Sequence, residues 1–387
     1  MDTQTNLTHM VKVYPLIDEQ NSFDAMSLRL QQEPKIAIDI EADSMYHFKE
    51  KICLIQLATS TEIYIIDPLA ISDMEPLKPI FANPSILKVF HGGDYDIRSL
   101  YRDFQIQVNP LFDTELASRF CGIRESGLSS VLKKFFNIHL DKTFQKKDWS
   151  KRPLLDTMID YAIKDVAYLL PLADILLKKL DTAERMDWIQ EECDLLSKSR
   201  PAVKTDQPLF LKCKGIGKLS PQHLYVFEEL LKYRMQLGEM KDRPVFKVMS
   251  NETLLDIAIK LPKSKRALEI IGSLSPKQLK MYGKSILEIV KQSSTIEHKD
   301  IPQYPKRSYE PDTPDLTKRM NYLKQWRDIQ SKMLNIDASL ILNRAQMHEI
   351  SYHNPMDEVT LGQLNVLRQW QMRHFGQQIL QALTGKY

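Results

Sequence analysis

The chain has 387 residues, of which 43% are hydrophobic and 27% are charged, as is ordinary for a globular protein. At about 150 residues per domain, this length predicts two or three domains with hydrophobic cores. The sequence has neither a basic amino-terminal region followed by an apolar core nor a run of about 18 apolar residues. We therefore expect neither secretion nor a membrane span.

The cysteines also narrow the class of protein. All four lie far apart in the sequence and form no CxxC pair, and none has a close histidine partner. This spacing disfavours both a zinc site and a disulfide framework. We therefore expect a protein of the reducing cytoplasm.

The net charge of +3 conceals an asymmetry along the chain. Residues 201–310 contain 20 Lys and Arg against 12 Asp and Glu, a charge of +8, whereas the rest of the chain has 33 against 38, or −5. A basic region beside a mildly acidic one suits a nucleic-acid-binding module joined to a metal-binding domain. A lysine-rich solvated surface explains the charge equally well.

The first candidate site residues lie on a predicted strand at residues 35–41. Its side chains alternate, with three isoleucines on one face and Asp39 and Glu41 on the other. The two carboxylates therefore point the same way, roughly 7 Å apart. On its own, such a pair is more often a solvated face than a metal site.

Two further apolar runs, at residues 52–58 and 63–66, complete a predicted antiparallel meander. A strand at residues 87–90 then enters a glycine turn and a helix from 94 to about 104. The turn contains two acids, Asp94 and Asp96, and its glycines allow the backbone to approach a ligand closely. Acids at the end of a strand are typical of active sites.

A helix predicted over residues 158–170 presents Tyr161 and Asp165 four residues apart, and so on one face. A phenol beside a carboxylate is suggestive of a functional site. More commonly, the tyrosine of such a pair packs in the core and the acid is exposed.

After these elements, the sequence predicts two all-helical units. The α/β domain is expected to span residues 1–196, followed by a linker at 197–208, a helical unit at 209–292, a proline-rich linker at 293–314 and a second helical unit at 315–387. Ser220-Pro221 and Ser275-Pro276 are predicted helix starts. An aromatic-Gly-x-x-Ile-Leu pattern occurs in both units, at residues 282–287 and 375–380, which indicates a repeat.

Together, the acidic residues suggest phosphodiester chemistry. Two cations about 4 Å apart can activate a water and stabilise a leaving oxygen. Hard divalent ions such as Mg²⁺ or Mn²⁺ prefer carboxylate oxygens, so a set of acids without Cys or His suits them better than zinc. Tyr161 would lie beside the attacking water, orienting it or accepting its proton.

The chain resembles a known family over nearly its whole length. The Asp39-Ile40-Glu41 strand, the His91-Gly92-Gly93-Asp94-Tyr95-Asp96 turn and the Tyr161-x-x-x-Asp165 helix resemble the three motifs of the DEDD exonuclease superfamily, in the tyrosine subgroup that includes the ribonuclease D family. The helical units resemble tandem HRDC domains. The resemblance implies a ribonuclease H-like α/β exonuclease domain with a mixed sheet, followed by two all-α HRDC domains.

The resemblance also assigns roles to individual residues. It implies that Asp39, Glu41, Asp96 and Asp165 bind two divalent metal ions, Mg²⁺ or Mn²⁺, and that Tyr161 positions the nucleophilic water. Asp96 matches the acid of the family motif, and we expect Asp94 to cap the following helix.

Three further residues are candidate contacts to the RNA. Gln56 and Arg152 are predicted to bind the RNA terminus. A structural role within its strand for Gln56, and a position as an ordinary surface arginine for Arg152, are equally supported. His91 is a weaker candidate, because a structural role at the end of a strand is favoured.

The function implied is a 3′-to-5′ exoribonuclease that releases nucleoside 5′-monophosphates from tRNA precursors and other structured RNAs with 3′ tails. We expect a monomer. Two alternatives remain open: a DNA 3′-5′ exonuclease or proofreader, because a two-metal site reads phosphates and not the 2′-hydroxyl, and a nucleic-acid-binding protein whose catalytic domain is vestigial.

Overall fold

The computed structural model describes residues 12–141, 143–202, 206–293, 304 and 313–385. These residues belong to two compact units. The first contains residues 12–42, 52–201 and 313–385, and the second contains residues 43–51 and 202–293 with residue 304. The second predicted helical module therefore belongs to the same unit as the α/β domain. Most of the predicted linker at 293–314 lies outside the described residues.

A six-stranded mixed sheet forms the centre of the first unit. Its strands are β1 (Lys12–Val13), β2 (Lys35–Ala42), β3 (Ile52–Ala58), β4 (Glu62–Ile66), β5 (Leu87–Phe90) and β6 (Leu111–Asp113). They are arranged in the order β1-β4-β3-β2-β5-β6. The β2-β3 and β3-β4 pairs are antiparallel, which confirms the predicted meander. The remaining pairs are parallel, so the sheet is mixed.

The parallel pairs bring the acidic segments to one edge of the sheet. β2 pairs with β5 at Ala37 and Val89, and β5 pairs with β6 at Phe90 and Asp113. Because the carboxyl ends of parallel strands meet at the same edge, the end of β2 lies beside the turns that follow β5 and β6. Segments far apart in the sequence thus come together.

Eight helices of the described residues complete the α/β part. They are α1 (Gln20–Leu30), α2 (Leu77–Ala82), α3 (Asp94–Phe104), α4 (Thr114–Phe120), α5 (Leu128–Phe136), α6 (Asp156–Ala167), α7 (Leu169–Thr182) and α8 (Met186–Leu196). The helix predicted over residues 158–170 is divided at Tyr168. The reason is Pro171, which has no N–H and would clash with the carbonyl of residue 167 in a continuous helix.

The second unit contains the first helical module. Its helices are α9 (Pro221–Met240), α10 (Val245–Val248), α11 (Asn251–Lys260), α12 (Lys265–Ile271) and α13 (Pro276–Gln292). Ser220 and Ser275 cap α9 and α13, as predicted, and each hydroxyl accepts a hydrogen bond from the third residue of its helix. The module packs around its own hydrophobic core. Residues 43–51 belong to this unit, and Asp242 accepts a hydrogen bond from the backbone N–H of Phe48 at 3.0 Å.

The second helical module repeats this pattern within the first unit. Its helices are α14 (Pro314–Leu334), α15 (Ala338–Ile341), α16 (Arg344–His353), α17 (Glu358–Gln363) and α18 (Gln369–Leu383). The helices of this module are 21, 4, 10, 6 and 15 residues long, against 20, 4, 10, 7 and 17 in the first. Tyr282 and Phe375, the aromatic residues of the repeated motif, are both buried.

An aromatic cluster joins the second module to the α/β domain. The Trp370 ring stacks on the Trp188 ring of α8 with centroids 4.5 Å apart, and it meets the Phe120 ring edge-on at 5.6 Å. Glu191 accepts hydrogen bonds from the backbone N–H groups of Gln369 and Trp370, at 2.8 and 2.9 Å. Those groups open α18 and have no partner within it. A hydrophobic core and a helix cap thus fix the position of this module.

In the part of the chain that the structure describes, no helix is both long enough and apolar enough to cross a membrane.

Candidate active site

Three of the predicted metal ligands form one cluster. Asp39, Glu41 and Asp165 each offer a carboxylate oxygen, and these atoms lie within 4.8 Å of one another. Asp39 and Glu41 come from the same face of β2, and Asp165 comes from α6, which packs against β2, β3 and β4. The strand alternation and the helix spacing thus produce the arrangement that the sequence predicts.

Asp96 reaches the same cluster from α3. Its side chain is buried at 8% exposure and lies close enough to Asp39 for the two carboxylates to repel each other. The backbone N–H of Ile40 hydrogen-bonds both carboxylates. The structure therefore brings four predicted acids together.

Tyr161 lies one helical turn before Asp165, and its hydroxyl donates a hydrogen bond to the Asp165 carboxylate. Its ring lies between two aromatic side chains, with centroids 5.8 Å from Phe144 and 6.2 Å from Trp149. Trp149 is fully buried. This packing restricts the tyrosine to one orientation.

Burial and mutual repulsion oppose ionisation of the cluster. Burial raises the pKa of Asp39 to about 7 and that of Asp165 to about 8, where the Asp39 charge adds to the effect. Burial, followed by repulsion from Asp39, Asp165 and Asp96, raises the pKa of Glu41 to about 10. Burial also raises the pKa of Asp96 and of Tyr161. Four such acids can all ionise only beside compensating positive charge.

No described side chain that lines the cleft supplies that charge. The cleft has a volume of about 420 Å³ and is lined by Asp39, Glu41, Tyr161 and Asp165, among others. Among the described residues that line it, none is Lys or Arg. A buried set of hard oxygen donors without a cationic partner fits divalent metal ions. The donor set therefore agrees with the metal site that the family resemblance implies.

The raised pKa values predict how metal binding depends on pH. In the metal-free protein, the folded acids keep protons that the unfolded chain releases above about pH 4. The folded state therefore binds more protons, and this contribution lowers stability as the pH rises from about 4 to about 10. We expect saturating Mn²⁺ to raise the Tm by about 5–10 °C at pH 8 and by much less at pH 5, because the cation must displace those protons.

Differential scanning fluorimetry at both pH values, with and without Mn²⁺, measures this difference. An equal shift at the two pH values would place the bound ion elsewhere.

The structure separates Asp94 from Asp96. Asp94 is exposed and forms an ion pair with Arg98 at 2.6 Å, which lowers the pKa of the Asp94 carboxyl. The expected cap is wrong in detail, because Gly93 is the N-cap residue of α3 and Asp94 is the first helical residue. The side chain of Asp94 thus lies on the surface while that of Asp96 is buried in the cluster.

Asp113 has a role that the sequence did not reveal. It starts α4, as its place before Thr114 indicates, and its carboxylate accepts backbone hydrogen bonds from Glu115 and Leu116 at 2.8 and 2.9 Å. It also accepts from the N–H groups of Gly92 and Gly93, at 3.2 and 2.7 Å. These two glycines form the turn that leads into α3 and hence to Asp96. Asp113 therefore holds one metal-site segment in place without lining the cleft.

We expect Asp113→Ala to destabilise the protein by about 3 kcal/mol, because four backbone N–H groups lose one buried acceptor. Asp357→Ala is the matched control, since Asp357 caps the exposed start of α17 by accepting hydrogen bonds from the backbone N–H and the hydroxyl of Thr360. This control should cost about 1 kcal/mol. Urea unfolding of both variants tests the prediction, and equal losses would show that the bonds to the glycine turn contribute nothing.

In the structure, two of the three residues predicted to contact RNA are engaged or buried within the protein. Arg152 donates all five of its N–H groups within the protein, to the Asp67 carboxylate and to the carbonyls of Cys53, Trp149 and Lys151. It therefore has no donor left for a phosphate.

Gln56 is the cross-strand neighbour of Asp39 and is fully buried, so RNA cannot reach it. Only His91 lines the cleft, where its Nδ1 lies 2.9 Å from the Thr114 hydroxyl.

Comparisons with known protein families cover most of the chain. A 3′-5′ exonuclease family model matches residues 14–181. An HRDC domain model matches twice, at residues 223–290 and 317–383. The two matches confirm the predicted repeat.

Individual relatives agree with these family models. Ribonuclease D of Haemophilus influenzae is 30% identical over 276 residues, which cover 70% of this chain and 69% of the relative. The crystal structure of Escherichia coli RNase D, described as an exoribonuclease involved in structured RNA processing, has a TM-score of 0.75 at 25% identity and covers 96% and 98% of the two chains. The catalytic core of RRP6 from Trypanosoma brucei has a TM-score of 0.65 at 29% identity, over 74% of this chain and 81% of that one.

Proposed function

Because this chain belongs to the ribonuclease D family of 3′-5′ exoribonucleases, we propose that it hydrolyses RNA from the 3′ end and releases nucleoside 5′-monophosphates. Two divalent metal ions, Mg²⁺ or Mn²⁺, would bind at the acidic cluster. The observation that carries this proposal is the convergence of Asp39, Glu41 and Asp165 within 4.8 Å, with Asp96 beside them.

The four carboxylates are proposed to hold the metal ions. When bound, a pair of such ions supplies an activated water and stabilises the leaving oxygen of the phosphodiester. The protein supplies the positions: β2 fixes two acids, α3 fixes one and α6 fixes one. Burial of the acids excludes bulk water and strengthens their electrostatic interactions.

Tyr161 is proposed to orient the attacking water. Its raised pKa keeps the phenol protonated at neutral pH, and its proton is donated to Asp165. The phenolic oxygen can then accept a hydrogen bond from a water molecule. The same raised pKa argues against Tyr161 as the group that takes the proton.

We expect Tyr161→Phe to lower kcat on the order of 10²-fold with a small change in KM, because the ring packing is preserved while the orienting oxygen is lost. Tyr168→Phe is the matched control, since Tyr168 is a buried tyrosine outside the cleft. Steady-state kinetics on a single-stranded RNA measure both variants. Unchanged turnover in Tyr161→Phe would remove the hydroxyl from the mechanism.

The two HRDC domains are proposed to hold the body of the RNA, with tRNA precursors as the substrate class. The basic composition of residues 201–310 supports this role for the first domain. Binding by lysines and arginines releases counterions, so RNA affinity should fall steeply with salt. His91 remains a proposed contact to the terminal nucleotide, because it lines the cleft.

Competition between single-stranded RNA and DNA of the same sequence in one Mn²⁺-dependent degradation assay tests the proposed function. The expected products are 5′-mononucleotides that appear first from the RNA 3′ end. Preferential degradation of DNA would favour the proofreading alternative, and no degradation of either would favour a vestigial domain.

A further inference from the structure

A second cleft lies where the second HRDC domain meets the exonuclease domain, and its charge is opposite to that of the active-site cleft. It has a volume of about 560 Å³ and is lined on the exonuclease side by Arg119 and Arg124 and on the HRDC side by Lys332. Asp337 is its one acidic lining residue among those described. We call it the basic cleft.

The cations of the basic cleft are available to a ligand. Arg124 and Lys332 are exposed, and neither forms an ion pair with a carboxylate of the described residues. Arg119 is half-buried and lies near Asp337, whose carboxylate already accepts the backbone N–H of Ser339 at 2.8 Å. Among the described residues, the charges of Arg124 and Lys332 therefore have no carboxylate partner.

The walls of the basic cleft are held at a fixed separation. The Arg185 guanidinium donates to the carbonyl of Phe120 in the exonuclease domain and to that of Leu334 in the HRDC domain, each at 2.7 Å. Gly122 has a positive φ of 77°, and a Cβ there would lie 2.2 Å from the carbonyl oxygen of Asn335. Only glycine permits this approach, so the cleft is a built feature of the junction.

The basic cleft and the active-site cleft are lined by neighbouring residues of the same two segments. Glu115 of α4 lines the active-site cleft and Arg119 of the same helix lines the basic cleft, four residues and about 6 Å further along one face. The loop after α4 also contributes to both clefts: Arg124 lines the basic cleft and Gly127 lines the active-site cleft. A strand that leaves the active site along α4 would therefore enter the basic cleft.

We propose that the basic cleft binds the phosphate backbone of the RNA strand upstream of its 3′ end, through Arg119, Arg124 and Lys332. The inference rests on the proposed function, since it gives a path to the strand whose terminus is cleaved. Among the described residues that line it, the active-site cleft has no Lys or Arg, so phosphates beyond the metal site need cations from elsewhere. The basic cleft supplies them one helical turn away.

The test measures RNA binding without cleavage. The Arg124→Gln/Lys332→Gln double variant and the parent are compared in an Asp39→Asn background by fluorescence anisotropy, with labelled single-stranded RNA of about 12 nucleotides. The matched control is Lys178→Gln/Lys198→Gln, which removes two exposed lysines of the exonuclease domain that line neither cleft. Both doubles lose the same net charge.

We expect the Kd of the Arg124/Lys332 variant to rise on the order of tenfold at 0.1 M salt, and its salt slope to fall by about 1.4, or 0.7 for each lost phosphate contact. The control should change Kd less than twofold, and Arg124→Lys alone should retain most of the affinity. Equal weakening in the two double variants would overturn the proposal.

Failure of this inference can be told apart from failure of the proposed function. If the unmodified protein releases mononucleotides from RNA and the two double variants bind RNA equally, only the basic-cleft inference fails. If the unmodified protein releases no mononucleotides, the proposed function fails whatever the binding result.

Discussion

Asp39→Asn is expected to lower Mn²⁺-dependent release of mononucleotides from an RNA 3′ end by roughly 10³-fold, a loss of about 4 kcal/mol of transition-state stabilisation. Asp39 lies at the centre of the site: it belongs to the 4.8 Å cluster, and its charge acts on Glu41, Asp96 and Asp165. An amide in its place removes a proposed anionic metal ligand with little change in volume.

The same variant should be more stable than the parent when both are metal-free. One of four mutually repelling buried carboxylates is gone, so we expect a gain on the order of 1 kcal/mol, or about 2–4 °C in Tm. The Mn²⁺-dependent stabilisation should fall with it. Asp160→Asn, on the exposed face of α6, is the control and should leave activity and metal response intact. If Asp39→Asn degrades RNA as fast as the parent, the site is wrongly assigned.

Asp96→Asn is expected to abolish turnover to the same extent, whereas Asp94→Asn should leave it within about twofold. Asp96 is buried against the Asp39 carboxylate, and Asp94 is exposed in an ion pair with Arg98. Loss of that surface pair and of a negative charge at the start of α3 should cost only about 0.5 kcal/mol. Kinetics combined with thermal unfolding of both variants measure the contrast.

The two residues lie two positions apart in one helix, so each variant is the control for the other. Loss of turnover in Asp94→Asn with normal turnover in Asp96→Asn would exchange their roles.

Local geometry explains why most of the candidate site could be predicted. Strand alternation places Asp39 and Glu41 on one face, and a spacing of four places Tyr161 and Asp165 on one helix face. Each relation depends on backbone geometry over a few residues, and the structure keeps both. The meander and the capped starts of α9 and α13 are equally local, since they depend on short connections and on a serine before a proline.

What the sequence did not reveal about Arg152 and Asp113 depends on long-range contacts. Arg152 was expected at the RNA terminus, but Asp67, 85 positions away, takes its guanidinium. Asp113 begins a helix, as its place before Thr114 indicates, but it also holds the glycine turn about 20 residues earlier. Such partners carry no local sequence signal, because the residues meet only when segments far apart in the sequence pack together.

The sequence by itself determined which residues can bind metal and that two helical repeats follow an α/β domain, because these features depend on side-chain chemistry and on periodicity along the chain. The tertiary structure decided that Asp96 joins the cluster, that Arg152 is an internal ion pair, and that the second HRDC domain packs on the exonuclease domain through Trp188 and Trp370. It also created the basic cleft, whose two arginines lie more than 200 positions from Lys332 in the sequence. These contacts join residues that are far apart in the sequence, so burial and charge can position the side chains only once the chain has folded.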